Sequence, residues 1–186
     1  TYDHLSVWIP KYRAAFVGDN FYTSFPNMYT LRGTKPRWAL DYVDSINRIL
    51  ALKPEILIPS HGDAIIGERQ IERELTRYRD AILYVHDKTV LGMNQGKDVH
   101  TLMAEISLPS DLDIGEGYGR ISWSVRGIYE SYMGWFDGNP TSMFSTPVDD
   151  AYPQLVELAG GAEAVATLAE TQIESGDYEL ALHSAD

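Results

Sequence analysis

Residues 13–33, "RAAFVGDNFYTSFPNMYTLRG", run an apolar segment, Ala14 to Val17, into Gly18-Asp19 and then into a mixture of aromatic residues, an asparagine and an arginine. Two readings are open at this point. Gly-Asp is ordinary turn chemistry, so on the first reading the strand simply stops there. On the second, Asp19 stands at the carboxyl end of a buried strand, where α/β-layered folds place ligands and metals. The pattern recurs in "EILIPSHGD", residues 55–63, where a short apolar strand, Ile56 to Ile58, stops at Pro59-Ser60-His61-Gly62. His61 stands to its strand as Asp19 stands to its own.

Working outward, Leu5 to Ile9 and Ala14 to Val17 read as two strands joined by a hairpin turn at Pro10-Lys11-Tyr12. Pro36 suits the first turn of a helix that runs to about Leu52, with Leu40, Val43, Ile46, Ile49 and Leu50 as its apolar residues and Pro54 as its end. After Gly67 the pattern is helical throughout. Ile71, Leu75, Tyr78, Ile82 and Val85 form one stripe on a long helix to about Asn94. Asp98 is an N-cap for the short helix "VHTLMAEI", and Val125, Ile128, Tyr129, Tyr132, Met133 and Phe136 form a further stripe. Pro147 opens another helix that ends at Gly160-Gly161. Ala162 to Ser175 and Tyr178 to Ser184 make a helical pair around Gly176-Asp177, like a single tetratricopeptide hairpin without a repeat array. The expected class is α+β, predominantly helical. The expected division is 1–67, with strands and one helix, and 68–186, all helical.

Composition narrows the chemistry. A net charge of −12 argues against nucleic acid and against anionic membrane surfaces as partners. No apolar run approaches the ~20 residues of a membrane span. Without cysteine, any metal site has to use His and carboxylate ligands. The chain opens on "TYDHLSVWIP" and closes on "GDYELALHSAD", both within or beside regular structure, and the expectation is a piece of a longer protein.

Asp19 and His61 lie 42 residues apart (61 − 19 = 42), each after an apolar strand, with a helix between them. One carboxylate able to bridge two ions and one imidazole are parts of a dinuclear site for borderline cations. In this order they resemble the last two metal-ligand motifs of the metallo-β-lactamase fold. The resemblance implies an upstream ligand just before Thr1, with Tyr2-Asp3-His4 lining the site and His4 a neighbour rather than a ligand. The fold's His-x-His-x-Asp-His signature is absent from this chain.

"DNFYTSFPNMYTLRGTKPR", "YVHDKTVLGMNQG", "GYGRISWSVRGIYESYMGWFDGNP" and "LVELAGGAEAVATLAE" together resemble the bacterial alkylsulfatases. In that family a metallo-β-lactamase domain precedes a helical dimerisation domain. The resemblance implies two zinc ions in the intact protein, held in part by Asp19 and His61, with none or partial occupancy in this chain alone. It implies a sulfate group held by Asn27 and Arg32, an alkyl sulfate substrate, and a homodimer formed through the helical part. Tyr118, in the glycine-tyrosine turn Gly117-Tyr118, is the candidate catalytic residue. The chain departs from the family in having Asp19 for a bridging glutamate, Trp123-Ser124 for a His-Asn pair, and Gly62 for a second histidine.

The residue chemistry is in keeping with this. A guanidinium presents a fixed fork to a tetrahedral oxyanion, and an amide adds a further donor. Phe21, Tyr22, Phe25 and Tyr29 supply either an apolar channel for an alkyl tail or plain core packing, with at least half assigned to the core. Arg32 reads otherwise as a surface ion pair. His86, His100 and His183 read as structural or exposed. The alternative function is a helical dimerisation or interaction module, attached to another hydrolase of the same fold with a different ester substrate. The two ideas part on whether Asp19 and His61 converge. This chain alone is expected to be inactive.

Overall fold

Strand β1, Val7–Ile9, pairs antiparallel with β2, Ala14–Gly18, through a 3-10 turn at Pro10–Tyr12. The turn closes on Arg13 in the left-handed region, φ 45. Its guanidinium bonds Glu55 at 2.7 Å and Glu68 at 2.8 Å, tying the turn to two later segments of the chain. After β2 the chain leaves the sheet, forms α1, Ala39–Ala51, and returns as β3, Ile56–Pro59, parallel to β2. A parallel pair needs such a crossover, and its consequence is that both strands end at the same edge. Strand β4, Ile65–Ile66, adds antiparallel to β3, so the order is β1-β2-β3-β4. The structure is a computed structural model that describes residues 4–33 and 35–186. Tyr2 and Asp3, expected beside the site, lie outside the described residues.

Helix α1 begins at Ala39 rather than at Pro36 because residues before it are held extended: the Arg37 N–H bonds Met28 O at 2.9 Å. Its apolar face, Tyr42, Val43, Ile46 and Ile49, is buried. Helix α2, Glu68–Asn94, follows the expected stripe, with Ile71, Leu75, Tyr78, Ile82 and Val85 all buried. It packs on α1, on the sheet and on α4, Ile121–Met133, which buries Val125 and Ile128. Between them, helix α3, Val99–Glu105, is capped by Asp98, whose side chain accepts from Thr101 N at 3.0 Å.

The chain divides into two compact units, Thr1–Trp135 and Phe136–Asp186. In the first, Val17 and Leu57 of the sheet share one apolar cluster with Leu75, Ile82 and Val125 of the helices. The expected division between residues 67 and 68 falls inside this unit, at the glycine before α2. The second unit holds two 3-10 turns, then α5, Tyr152–Leu158, α6, Ala162–Ser175, and α7, Tyr178–Ala185. Helices α6 and α7 pack on each other, burying Ala169 and Ala181. The described residues thus contain seven α-helices and one four-stranded sheet, an α+β chain that is mostly helical. Among them, no helix is long and apolar enough to cross a membrane.

Candidate active site

The parallel pairing of β2 with β3 determines where two side chains emerge. Gly18 turns the end of β2 with φ +55, and a Cβ there would lie 2.7 Å from Cε1 of His4. His4 sits over this turn with Nε2 2.9 Å from Val17 O, occupied by backbone. The Ser60 N–H bonds Gly18 O at 3.2 Å, so the two strand ends are tied together. Asp19 and His61 follow directly, with Asp19 Oδ1 3.4 Å from His61 Nε2. Both side chains are more than half exposed, at 54% and 66%. From α1, the Tyr42 hydroxyl donates to Asp19 O and anchors the turn from beneath.

Residues 20–33 form an irregular loop held by three buried anchors, Phe21, Phe25 and Met28. Among and beyond the anchors, Tyr22, Asn27, Thr30 and Arg32 line a cavity of about 600 Å³ that Asp19 and His61 also line. Asn27 is fixed by its backbone: its N–H donates to the Tyr22 hydroxyl at 2.7 Å, and its carbonyl accepts from Arg37 Nη1 at 2.8 Å. Its side-chain Oδ1 is buried with no partner among the described residues. Buried polar atoms in folded proteins are nearly always paired, so this amide retains hydrogen-bonding capacity beside the cavity. Arg32 is exposed, with its N–H and Nε directed to Thr30 Oγ1 at 3.0 and 3.5 Å. Burial pushes the Tyr22 hydroxyl above its ordinary pKa, with the Asn27 backbone bond acting against it.

The far wall comes from the start of α4. Tyr118 and Trp123 line the same cavity; Tyr118 is 76% exposed, and the Arg120 guanidinium lies 5.7 Å from the Trp123 ring centre. The structure therefore brings all five expected residues, Asp19, His61, Asn27, Arg32 and Tyr118, to one cavity. Sequence reasoning missed Arg37, a second guanidinium in the lining. The signal was a second arginine next to Pro36, five residues after Arg32. Of the four aromatic residues, Phe21 and Phe25 are core, Tyr22 lines the cavity, and Tyr29 donates to Glu130 of α4.

Chemically, one part of the lining offers a carboxylate and an imidazole, and another offers two guanidinium groups and an amide. The first pair suits a divalent cation with mixed N and O ligands. No group of three or more His, Asp or Glu side chains among the described residues is placed to hold a metal ion. Asp19 and His61 alone therefore do not make a complete site among the described residues.

Residues 99–186 match the family described as alkyl sulfatase dimerisation. The chain is similar to a linear primary-alkylsulfatase of Pseudomonas sp. (strain ATCC 19151), 36% identical over 163 residues, covering 85% of this chain and 31% of that protein. It is similar to the alkyl/aryl-sulfatase BDS1 of Saccharomyces cerevisiae, 28% identical, covering 92% of this chain and 28% of that one. Among solved structures it matches the stereoselective inverting sec-alkylsulfatase Pisa1 from Pseudomonas sp., with TM-score 0.85, 28% identity, and coverage of 96% of this chain and 30% of that chain. The chain spans less than a third of the length of these relatives. The chain is homologous to the alkylsulfatases over most of its length, and residues 99–186 match their dimerisation family.

Proposed function

We propose that this cavity is the sulfate-binding and metal-facing edge of a zinc-dependent alkylsulfatase, and that the whole protein hydrolyses sulfate esters as a homodimer. The observation that carries the reading is the convergence of Asp19, Asn27 and Arg32, from the end of β2 and the loop after it, with His61, from the end of β3, on one cavity. Arg32 presents its fork to two sulfate oxygens, a geometry a lysine cannot reproduce. Arg37 holds the Asn27 carbonyl and adds a second positive charge to the same wall. A further hydrogen bond to the anion would be donated by Asn27 Nδ2, since its unpaired Oδ1 is an acceptor.

Asp19 and His61 would hold zinc together with ligands from outside this chain. Their side chains lie 3.4 Å apart, close enough to face one ion together. When bound, a dinuclear zinc centre supplies a nucleophilic water at neutral pH and neutralises charge on the sulfate oxygens. Tyr118 is the candidate to donate a hydrogen bond to the leaving oxygen, its exposed hydroxyl being on the lining. The β-strands and α1 belong, on this reading, to a metallo-β-lactamase domain that ends near residue 67, and this chain alone is inactive. Trp123, where the family pattern has a histidine, favours a second reading in which the same fold acts on a different ester.

The test is steady-state kinetics of the full-length protein on a linear alkyl sulfate. Arg32→Lys is expected to lower kcat/KM by more than about tenfold, a loss of ~1.4 kcal/mol in transition-state binding. Unchanged kinetics would remove Arg32 from the sulfate site, and turnover of carboxylic esters alone would favour the second reading.

A further inference from the structure

Tyr22 lines two cavities. Besides the one described, it borders a second of about 650 Å³, within the range of ordinary small-molecule sites. The cavities adjoin along two segments: His61 lines the first and Gly62 to Ile66 the second, while Tyr22 in the first is flanked by Phe21 and Thr23 in the second. Their chemistry differs. The first carries Arg32 and Arg37. The second has Phe21, Ile65, Ile66 and Ile114 as its apolar walls, with Asp63, Glu74 and Asp113 as its acids. Its arginine, Arg77, donates to the carbonyls of Asp111 at 3.1 Å and Asp113 at 2.5 Å. The three acids disfavour an anion in the second cavity, while its apolar walls offer contact to a hydrocarbon, with Thr23, Gln70 and the acids along its polar side.

Tyr22 is held where it stands. Its hydroxyl accepts the Asn27 N–H at 2.7 Å and donates to Phe25 O at 3.3 Å, and its ring lies 6.3 Å from that of Tyr78 in edge geometry. The same residue thus supports the anion-binding loop and stands between the anion cavity and the apolar one. We infer that Tyr22 is the partition that sets how long an alkyl chain the ester can carry, closing the apolar cavity to the substrate's tail. The inference rests on the proposed sulfatase reading. Tyr22 is a specificity-determining residue on this account: removing its ring joins the two cavities, and a long tail gains apolar contact that a short one cannot reach.

The experiment compares kcat/KM for dodecyl sulfate and hexyl sulfate in the full-length protein. Tyr22→Ala is expected to raise the dodecyl-to-hexyl ratio about tenfold. Tyr22→Phe keeps the ring and should leave the ratio unchanged while raising KM for both esters, since Asn27 loses its hydroxyl partner. Should Tyr22→Ala fail to fold, Tyr22→Leu, which keeps an apolar side chain against Tyr78, reads the same ratio. A ratio unchanged in a folded, active Tyr22→Ala or Tyr22→Leu variant overturns the partition alone. No hydrolysis of either sulfate by the unmutated protein overturns both this inference and the function on which it rests.

Discussion

At the residue scale, the pairing of Asp19 with His61 follows from strand chemistry rather than from any affinity between them. Each is the first functional side chain after an apolar strand, and the Ser60 to Gly18 backbone bond keeps the two ends together. Two exposed donors bind a divalent ion poorly, because affinity rises steeply with ligand number and with removal of competing water. A calorimetric zinc titration of this chain by itself is therefore expected to show no tight stoichiometric binding. Tight one-to-one binding that survives His61→Ala would refute that, since it would locate the ligands elsewhere. These residues were legible because strand-end position and residue type can be read in one dimension. Arg37 was not, because its place in the cavity depends on a bond to the Asn27 carbonyl across a loop whose path is set by the buried Phe25 and Met28.

At the scale of elements, α4 matters to the site through how closely the turn before it approaches the loop of residues 20–33. A Cβ at Gly119 would lie 2.6 Å from Pro26 O and 2.7 Å from Asn27 Cα. Both are backbone atoms of the segment that presents Asn27, and backbone cannot turn aside as a side chain can. Gly119→Ala must displace one side of this contact, at a cost of about 1–3 kcal/mol by analogy with overpacked cores. The expected result is a lower urea midpoint together with weaker binding of sulfate. A variant with unchanged stability and unchanged anion affinity would show that the approach is dispensable. Long periodic elements were legible in the sequence: the stripe of α2 is buried as its spacing requires. Strand β4, two residues long, carries too little pattern to be read. Tyr132 shares the helical stripe of Val125 and Ile128, yet it is 53% exposed, with its hydroxyl 2.8 Å from Nε2 of the buried His86. Its hydroxyl finds that partner at the rim of the core, a preference that helical spacing does not encode.

At the scale of the whole molecule, apolar surface is distributed unevenly. In the second unit, Phe136, Met143 and Phe144 are 47%, 64% and 73% exposed. Aromatic and methionine side chains are enriched at protein–protein interfaces, and this stretch of sequence leaves several of them exposed. The stretch lies within residues 99–186, the part that matches the dimerisation family. The sequence revealed the richness of the segment but not which members face solvent, because that depends on where α4 ends, at Gly134 with φ 82. A two-fold interface uses the same patch on both chains, so one substitution acts twice. Phe136→Glu would bury two like charges near the contact, and a buried unpaired charge is costly enough to outweigh the apolar area it replaces. Sedimentation velocity at tens of micromolar should show a dimer for the unmutated chain and a shift to monomer for Phe136→Glu. Its circular dichroism should remain unchanged, separating a lost contact from a lost fold. A monomer for the unmutated chain would refute assembly through this stretch.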